Sequence, residues 1–398
     1  MSRQIQDAYI VAVRRTPVGK APRGAFRNTR PDDLLAHVIR ATLDDVPAVD
    51  RSRIDDAIIG CAMPEAEQGM NVARIAVLLA GLPQSVAAMT INRFCSSGIQ
   101  AVATAADRIR LGEADLMLAG GTESMSMVPM MGYKPAINPS VFANEHIAIA
   151  YGMGITAENV ATQWKVSRED QDAFALASHR KAAAAIAAGE FAGEIAPFTL
   201  DDHYPDLARR CVKTDARTIA NDEGPRLDST IEGLAALKPV FKARGSVTAG
   251  NSSQMSDGAA AVLLASERAI KDYGLTPLAR FVGFAVAGVA PEIMGIGPIA
   301  AIPKVLKQAG LSRDQIDWIE LNEAFAAQAL AVIREIGLDP AKVNPLGGAI
   351  ALGHPLGATG AVRVATLVHG LRRRQHKYGM VTMCIGTGMG AAGVLEAL

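Results

Sequence analysis

Three residues in this 398-residue chain combine reactive chemistry with a setting that could use it: Cys95, His354 and Cys384. Cys95 lies in "NRFCSSGIQAVATAADRI". The preceding "SVAAMTIN" reads as a short buried strand, and Ile99, Val102, Ala106 and Ile109 then recur at helical spacing. A thiol at that junction faces unpaired backbone N–H groups and the positive end of a helix dipole. A free thiol has a pKa of about 8.5, and a helix start with a nearby imidazole lowers it. His354, in "GGAIALGHPLGATG", precedes Pro355, which disfavours helical geometry before it and suits a first helical position itself. The imidazole is expected in extended backbone at a helix entrance, with Gly353, Gly357 and Gly360 admitting close backbone. Held that way, it is a candidate base. Cys384 follows "MVTM", at what reads as the C-terminal edge of a parallel strand, where open α/β sheets bind ligands. The turn at Gly386, Gly388 and Gly390 then offers backbone N–H groups suited to an oxyanion.

Other candidates carry less. Cys61 and Cys211 lack comparable settings and read as structural. "GMGAAG" fits GxGxxG at Gly388, Gly390 and Gly393, but five further residues cannot supply the helix and strand of a dinucleotide unit. No metal-ligand spacing and no phosphate-binding GxxxxGK[ST] occurs. Asn322 and Glu323, after the strand-like "DWIEL", suit either a helix cap or the holding of a water.

The elements that must position these residues come from a duplication. "RSRIDDAIIG" is echoed by "RDQIDWIELN", with Ile54 matching Ile316; the same offset sets Gly98 on Gly360 and Cys95 on Gly357. Further on, Gly121-Thr122 matches Gly386-Thr387. Two α/β copies related by a pseudo-twofold axis bring their helix starts together, and so bring Cys95 towards His354. Alone, Cys95 reads as a small buried hydrophobe; the duplication makes it a nucleophile candidate. Strand–helix alternation implies a mainly parallel sheet. The first half spans 1–121 and 250–275, the second 276–398, and 122–249 is an inserted loop domain. That insertion holds Met125, Met127, Met130, Met131 and Met153, the helical "REDQDAFALASHRKAAAAIAAGEF" and an Asp/Pro-rich loop near 201–228. Its methionines suit either a core or a flexible lining for an acyl chain.

Forty basic residues balance forty acidic ones, which excludes a nucleic-acid or membrane surface as main partner. Arg372-Arg373-Arg374 reads as a solvated helix end. No apolar run approaches a membrane span, and the first residues lack the apolar core of a signal peptide. Four cysteines without a CxxC pair point to a reducing compartment, and the last residues, Glu396-Ala397-Leu398, are no peroxisomal address. The location expected is cytoplasmic.

"NRFCSSG", "GGTESMS", "TAGNSSQMSDGAA", "NEAFA", "GGAIALGHPLGATG" and "CIGTGMG" occur together in one order, and along its whole length the chain resembles the thiolase family. The resemblance implies a five-layered αβαβα fold of two similar halves, a loop domain inserted in the first, and assembly as homodimers or homotetramers. It implies that Cys95 is acylated, that His354 activates it, and that Cys384 exchanges a proton with the substrate carbon or the CoA thiol. Asn322 would hold a water that with His354 forms one oxyanion hole; the N–H groups of Cys95 and Gly386 would form the other. No bound cofactor is implied, CoA and acyl-CoA being substrates.

By the same resemblance Ser253 meets the pantetheine and Arg226 the adenine, with Phe241, Ala249, Met153 and Phe325 as apolar contacts. Gly233 stands where a CoA-contacting serine is common, and Gly152 where the short-chain biosynthetic branch tends to have histidine. "SMSMVPM" and "YGMGITAENV" look more like the degradative branch. The expected activity is therefore cleavage of 3-ketoacyl-CoA by CoA, with an acetoacetyl-CoA-specific acetyltransferase as the alternative. A β-ketoacyl synthase is disfavoured by Cys384, and a non-catalytic acyl-CoA-binding subunit of a β-oxidation complex by the intact trio of Cys95, His354 and Cys384.

Overall fold

The computed structural model describes residues 5–143 and 145–398, apart from the side chains of Glu145 and His146. In chain order the strands are β1 (Tyr9–Arg15), β2 (Gly19–Lys20), β3 (Asp56–Gly60), β4 (Ala87–Ile91), β5 (Leu116–Ser124), β6 (Phe198–Asp206), β7 (Cys211–Ile219), β8 (Ser256–Ala265), β9 (Ala279–Gly288), β10 (Trp318–Leu321), β11 (Tyr378–Ile385) and β12 (Met389–Ala397). The helices are α1 (Pro31–Asp44), α2 (Val72–Leu79), α3 (Ser97–Arg110), α4 (Met153–Gln163), α5 (Arg168–Ala187), α6 (Ile231–Ala235), α7 (Glu267–Tyr273), α8 (Gly297–Ala309), α9 (Ala326–Ile336), α10 (Ala349–Leu352) and α11 (Leu356–Arg373).

The strand order β10-β11-β12-β9-β1-β8-β5-β3-β4 carries the duplication openly. Outward from the centre, β1-β8-β5-β3 on one side repeats β9-β12-β11-β10 on the other. Val343 bridges parallel to Ile319 just as β4 pairs parallel with β3. Within the sheet the halves join where β1 pairs with β9, at Tyr9↔Arg280 and Ile10↔Ala279. The sheet is mixed, not mainly parallel: β3/β4, β3/β5 and β10/β11 are parallel, whereas β1, β8, β9 and β12 pair antiparallel. The reason is local. Ile385 pairs with Met389 across residues 386–388, and so short a connection can only turn the chain back.

Helices cover each half-sheet on its outer side, α1 and α2 on one, α8 and α9 on the other, while α3 and α11 pack together between the halves. Each helical layer closes its own apolar cluster. Burial of this kind, worth about 25 cal/mol per Å² of apolar surface, drives the layering. The layered α/β architecture built from two similar halves is therefore present. Gly98 and Gly360 make the central crossing close: a Cβ on Gly98 would lie 2.6 Å from the Ala361 nitrogen, and one on Gly360 would strike the Ile99 nitrogen.

Three local expectations need correction. β4 is not buried: as the outermost strand it has partly exposed faces, with Met89 exposed. The Asp/Pro-rich stretch near 201–228 is not all loop, because β6 and β7 pair along their length as a solvent-exposed ribbon. β5 continues through Thr122 and Glu123 to Ser124, residues read as insertion. The long helical stretch forms α5, started by the Ser167 side chain accepting from the Asp170 N–H. Arg372, Arg373 and Arg374 are exposed at the end of α11 as expected; Arg373 pairs with Glu190 at 2.6 Å.

Candidate active site

Cys95 occupies a single 3₁₀ turn, Phe94–Ser96, immediately before α3. Its own backbone N–H and that of Gly386 both reach the thiol. Cys384 is fully buried at the end of β11, close enough that Cys95 raises its pKa further after burial has done so. The turns bearing these groups are shaped by unusual backbone: Phe94 has φ +44° and Thr387 +67°. Neither residue is a glycine that would take the left-handed region freely, so both conformations are held by their surroundings. Around Cys95 pack Ala21, Ala62, Met63, Met125 and Leu356; around Cys384 pack Met153, Ala157, Val247, Met294, Ala324 and Phe325.

His354 is in extended backbone as expected, bridged in parallel to Met255, with Pro355 as the N-cap of α11. Its N–H donates to Gln254 O (3.1 Å) and Ser256 Oγ (3.0 Å). Its Nδ1 is 2.7 Å from Thr359 Oγ1, and Asn322 Nδ2 donates to Nε2 at 3.3 Å. Asn322 Oδ1 is buried without a protein partner. α11 packs against the Cys95 turn, so the helix start that holds the imidazole also abuts the thiol.

The electrostatics overturn one expectation. Burial pushes the Cys95 thiol up to about 11, and the two N–H groups only partly offset this. Burial, then the Arg363 guanidinium, hold His354 at about 3. The resting pair is thus neutral thiol and neutral imidazole, not the thiolate that a helix start suggests. Desolvation outweighs the helix dipole because the turn is enclosed by apolar side chains.

Several contributors carried no assigned role in the sequence. Glu123, inside "GGTESMS", is buried between the two turns: Oε2 accepts from Ala62 N–H (2.7 Å) and Gly357 N–H (2.8 Å), and Oε1 from Met63 N–H (3.2 Å) and the Gln68 amide. Thr359, Ser256, Phe94 and Thr387 also went unassigned. Only Thr359 left a usable signal, its spacing from His354 across a helix start.

Of the expected CoA contacts, Phe325 is buried and meets Phe241 edge-on at 6.1 Å between ring centres, while Phe241 is itself exposed. Met153 begins α4, near Gly386. Ser253 donates its N–H to Ala324 O (3.0 Å), and Ala249 opens the exposed end of a 3₁₀ turn. Arg226 is exposed, its N–H donating to Nδ1 of buried His179. Asn322 therefore joins His354 directly, Gly386 joins Cys95, and Met153 and Phe325 join Cys384.

A duplicated, layered α/β frame that sets two thiols and an imidazole at neighbouring turns suits the chemistry of an acyl-transfer enzyme. The model of the thiolase N-terminal domain matches residues 8–268 and that of the thiolase C-terminal domain residues 275–397. A 3-ketoacyl-CoA thiolase of Bacillus subtilis is 52% identical, the match covering 98% of this chain and 100% of that protein. The crystal structure of the Bacillus anthracis acetyl-CoA acetyltransferase is 40% identical with a TM-score of 0.89, covering 100% of both chains. That of human mitochondrial 3-ketoacyl-CoA thiolase is 41% identical with a TM-score of 0.88, covering 99% of both. The chain belongs to the thiolase family, and it is an acyltransferase.

Proposed function

We propose that this protein cleaves 3-ketoacyl-CoA with CoA, by a ping-pong route through an acyl-Cys95 thioester, and catalyses the reverse Claisen condensation. The observation that carries the reading is the convergence of the Cys95 and Gly386 N–H groups on one thiol, with a second thiol, Cys384, beside it. His354 Nε2 takes the Cys95 proton as sulfur attacks the 3-keto carbon. With burial holding the thiol up at about 11 and the imidazole down at about 3, the neutral pair is the resting state. Proton transfer therefore accompanies C–S bond formation. The bond between C2 and C3 breaks, and acetyl-CoA leaves as an enolate that takes its proton from Cys384. A water held by Asn322, whose Oδ1 has a lone pair to spare, and His354 form the oxyanion hole for that enolate. The Cys384 thiolate then deprotonates the incoming CoA thiol. CoA sulfur attacks the acyl-Cys95 thioester, whose developing oxyanion faces the Cys95 and Gly386 N–H groups. Cys95 recovers its proton from His354, and the shortened acyl-CoA leaves.

CoA itself is the remaining substrate, with no other cofactor in the scheme; Ser253, Arg226, Phe241, Ala249, Met153 and Phe325 are its proposed contacts, under a loop domain spanning about residues 122–249. Support comes from the apolar wall that Met153 and Phe325 build on Cys384. Gly152 has open space where a side chain would project, which supports acceptance of chains longer than acetoacetyl. Assembly as a homodimer or homotetramer is supported by the open apolar edge at β4, with Met89, Leu78 and Leu79 exposed and Met70 95% exposed. Among the described residues no helix is long and apolar enough to cross a membrane. The four cysteines are unpaired, which supports a reducing compartment such as the cytoplasm.

The deciding experiment is thiolysis with free CoA, comparing kcat/KM for acetoacetyl-CoA and 3-ketodecanoyl-CoA. Equal or higher efficiency on the longer substrate supports the degradative reading; activity confined to acetoacetyl-CoA replaces it with an acetyl-CoA acetyltransferase.

A further inference from the structure

We infer that Thr359 is a positioning residue that fixes the tautomer of His354. The inference rests on the reading of His354 as the base. Pro355 is the N-cap of α11, so His354 lies one residue before the cap and Thr359 at the fourth helical position. Side chains at those two positions meet at a helix start, a proximity usually filled by two apolar groups. Here both are polar: His354 Nδ1 and Thr359 Oγ1 are 2.7 Å apart, with His354 4% and Thr359 0% exposed.

The tautomer follows from the far side of the ring. Asn322 presents its amide nitrogen, a donor only, 3.3 Å from Nε2. Nε2 must therefore hold its lone pair outward, and in a neutral ring the proton sits on Nδ1, where Thr359 Oγ1 accepts it. Threonine is stiff about χ1, so that acceptor stays in place. The backbone of His354 is fixed separately by Gln254 O and Ser256 Oγ. Without Oγ1 the Nδ1–H is buried and unpartnered, and the ring gains by moving its proton to Nε2 once the Asn322 amide turns over to present its unpartnered Oδ1 as the acceptor. A protonated Nε2 cannot receive the Cys95 proton.

The test combines kinetics with long-range ¹⁵N NMR of histidine-labelled protein, the His354 signals assigned by their loss in His354→Asn. The wild type is expected to show protonated Nδ1 and bare Nε2; a protonated Nε2 there overturns the inference whatever the variants do. Thr359→Val keeps the shape and removes the acceptor. It is expected to shift the His354 signals towards the other tautomer and to lower kcat/KM by about tenfold to a hundredfold. Thr359→Ser restores the acceptor, and is expected to keep the wild-type spectrum with activity within about threefold of wild type. A valine variant that folds with the wild-type spectrum overturns the inference, and so does a serine variant that loses the tautomer. Full thiolysis by His354→Ala would instead remove the functional reading, leaving the tautomer measurement intact.

Discussion

At Cys95 the competition is between burial, which holds the proton on sulfur, and two N–H groups that favour its loss. Burial wins, so alkylation of Cys95 by iodoacetamide should be slow at neutral pH and keep rising well into the alkaline range. A plateau reached near pH 7 would mean a preformed thiolate and a different resting state. Cys95→Ala should abolish acyl transfer while leaving the thermal midpoint close to wild type, since it removes one sulfur atom and leaves the backbone turn unchanged. Cys384→Ala should impair carbon–carbon cleavage far more than acylation by a simple acyl donor, measured as trapped acyl-enzyme; equal losses would contradict its role with the enolate.

The crossing of α3 and α11 is where an element decides the site. The helix carrying the Cys95 turn and the helix carrying His354 touch through Gly98 and Gly360, and added side-chain carbons would meet backbone that cannot yield. Gly98→Ala is expected to destabilise the fold by about 1–3 kcal/mol, the usual range for overpacking, read from urea unfolding. Its thiolysis rate should also fall, although Gly98 touches no reacting atom, because separating the helices moves the thiol from the base. The duplication made this pairing of helix starts legible before any coordinates. The direction of the strands was only partly legible: the tight 386–388 turn is local, whereas the antiparallel return of β8 beside β1 and β5 depends on how chain segments distant in sequence meet.

For the molecule as a whole, buried charge and buried imidazole set the conditions of stability. Arg15 on β1 reaches Glu194 (2.6 Å) and Asp222 (2.7 and 2.9 Å), and Thr366 of α11 donates to the same Glu194. Arg15→Ala strands two buried carboxylates and should cost about 3–5 kcal/mol in chemical denaturation. The pH response follows from direction. His354 at about 3 and His179 at about 4 lie below their unfolded value of 6.5, so the unfolded chain binds protons first on acidification. Their stabilisation is complete above pH 6.5 and declines as pH falls towards 4 and 3. Glu320, pushed up to about 7, acts oppositely: its contribution is present below 4.5 and is lost as pH rises to 7. His37 and His369 are also lowered and act with these histidines, whereas buried Glu123, Glu323 and Asp257 are raised and act with Glu320; the histidine set alone gives a thermal midpoint that declines between pH 6.5 and 4. His179→Asn, which can keep an acceptor for the Arg226 N–H, should flatten that decline; an unchanged slope would assign the effect elsewhere.

The sequence by itself determined the duplication, the helix entrances at Cys95 and His354, the exposed arginine end of α11 and the family resemblance. These depend on local rules: hydrophobic period, proline and glycine at helix boundaries, and motif order. Tertiary structure alone decided that β4 is a sheet edge, that the thiol rests protonated, and that Glu123 supports the site. Each of those follows from what surrounds a group in space, and neither desolvation nor a partner more than two hundred residues away can be read from neighbouring letters. The Glu123–Gly357 contact, whose partners are 234 positions apart in the chain, is the plainest instance.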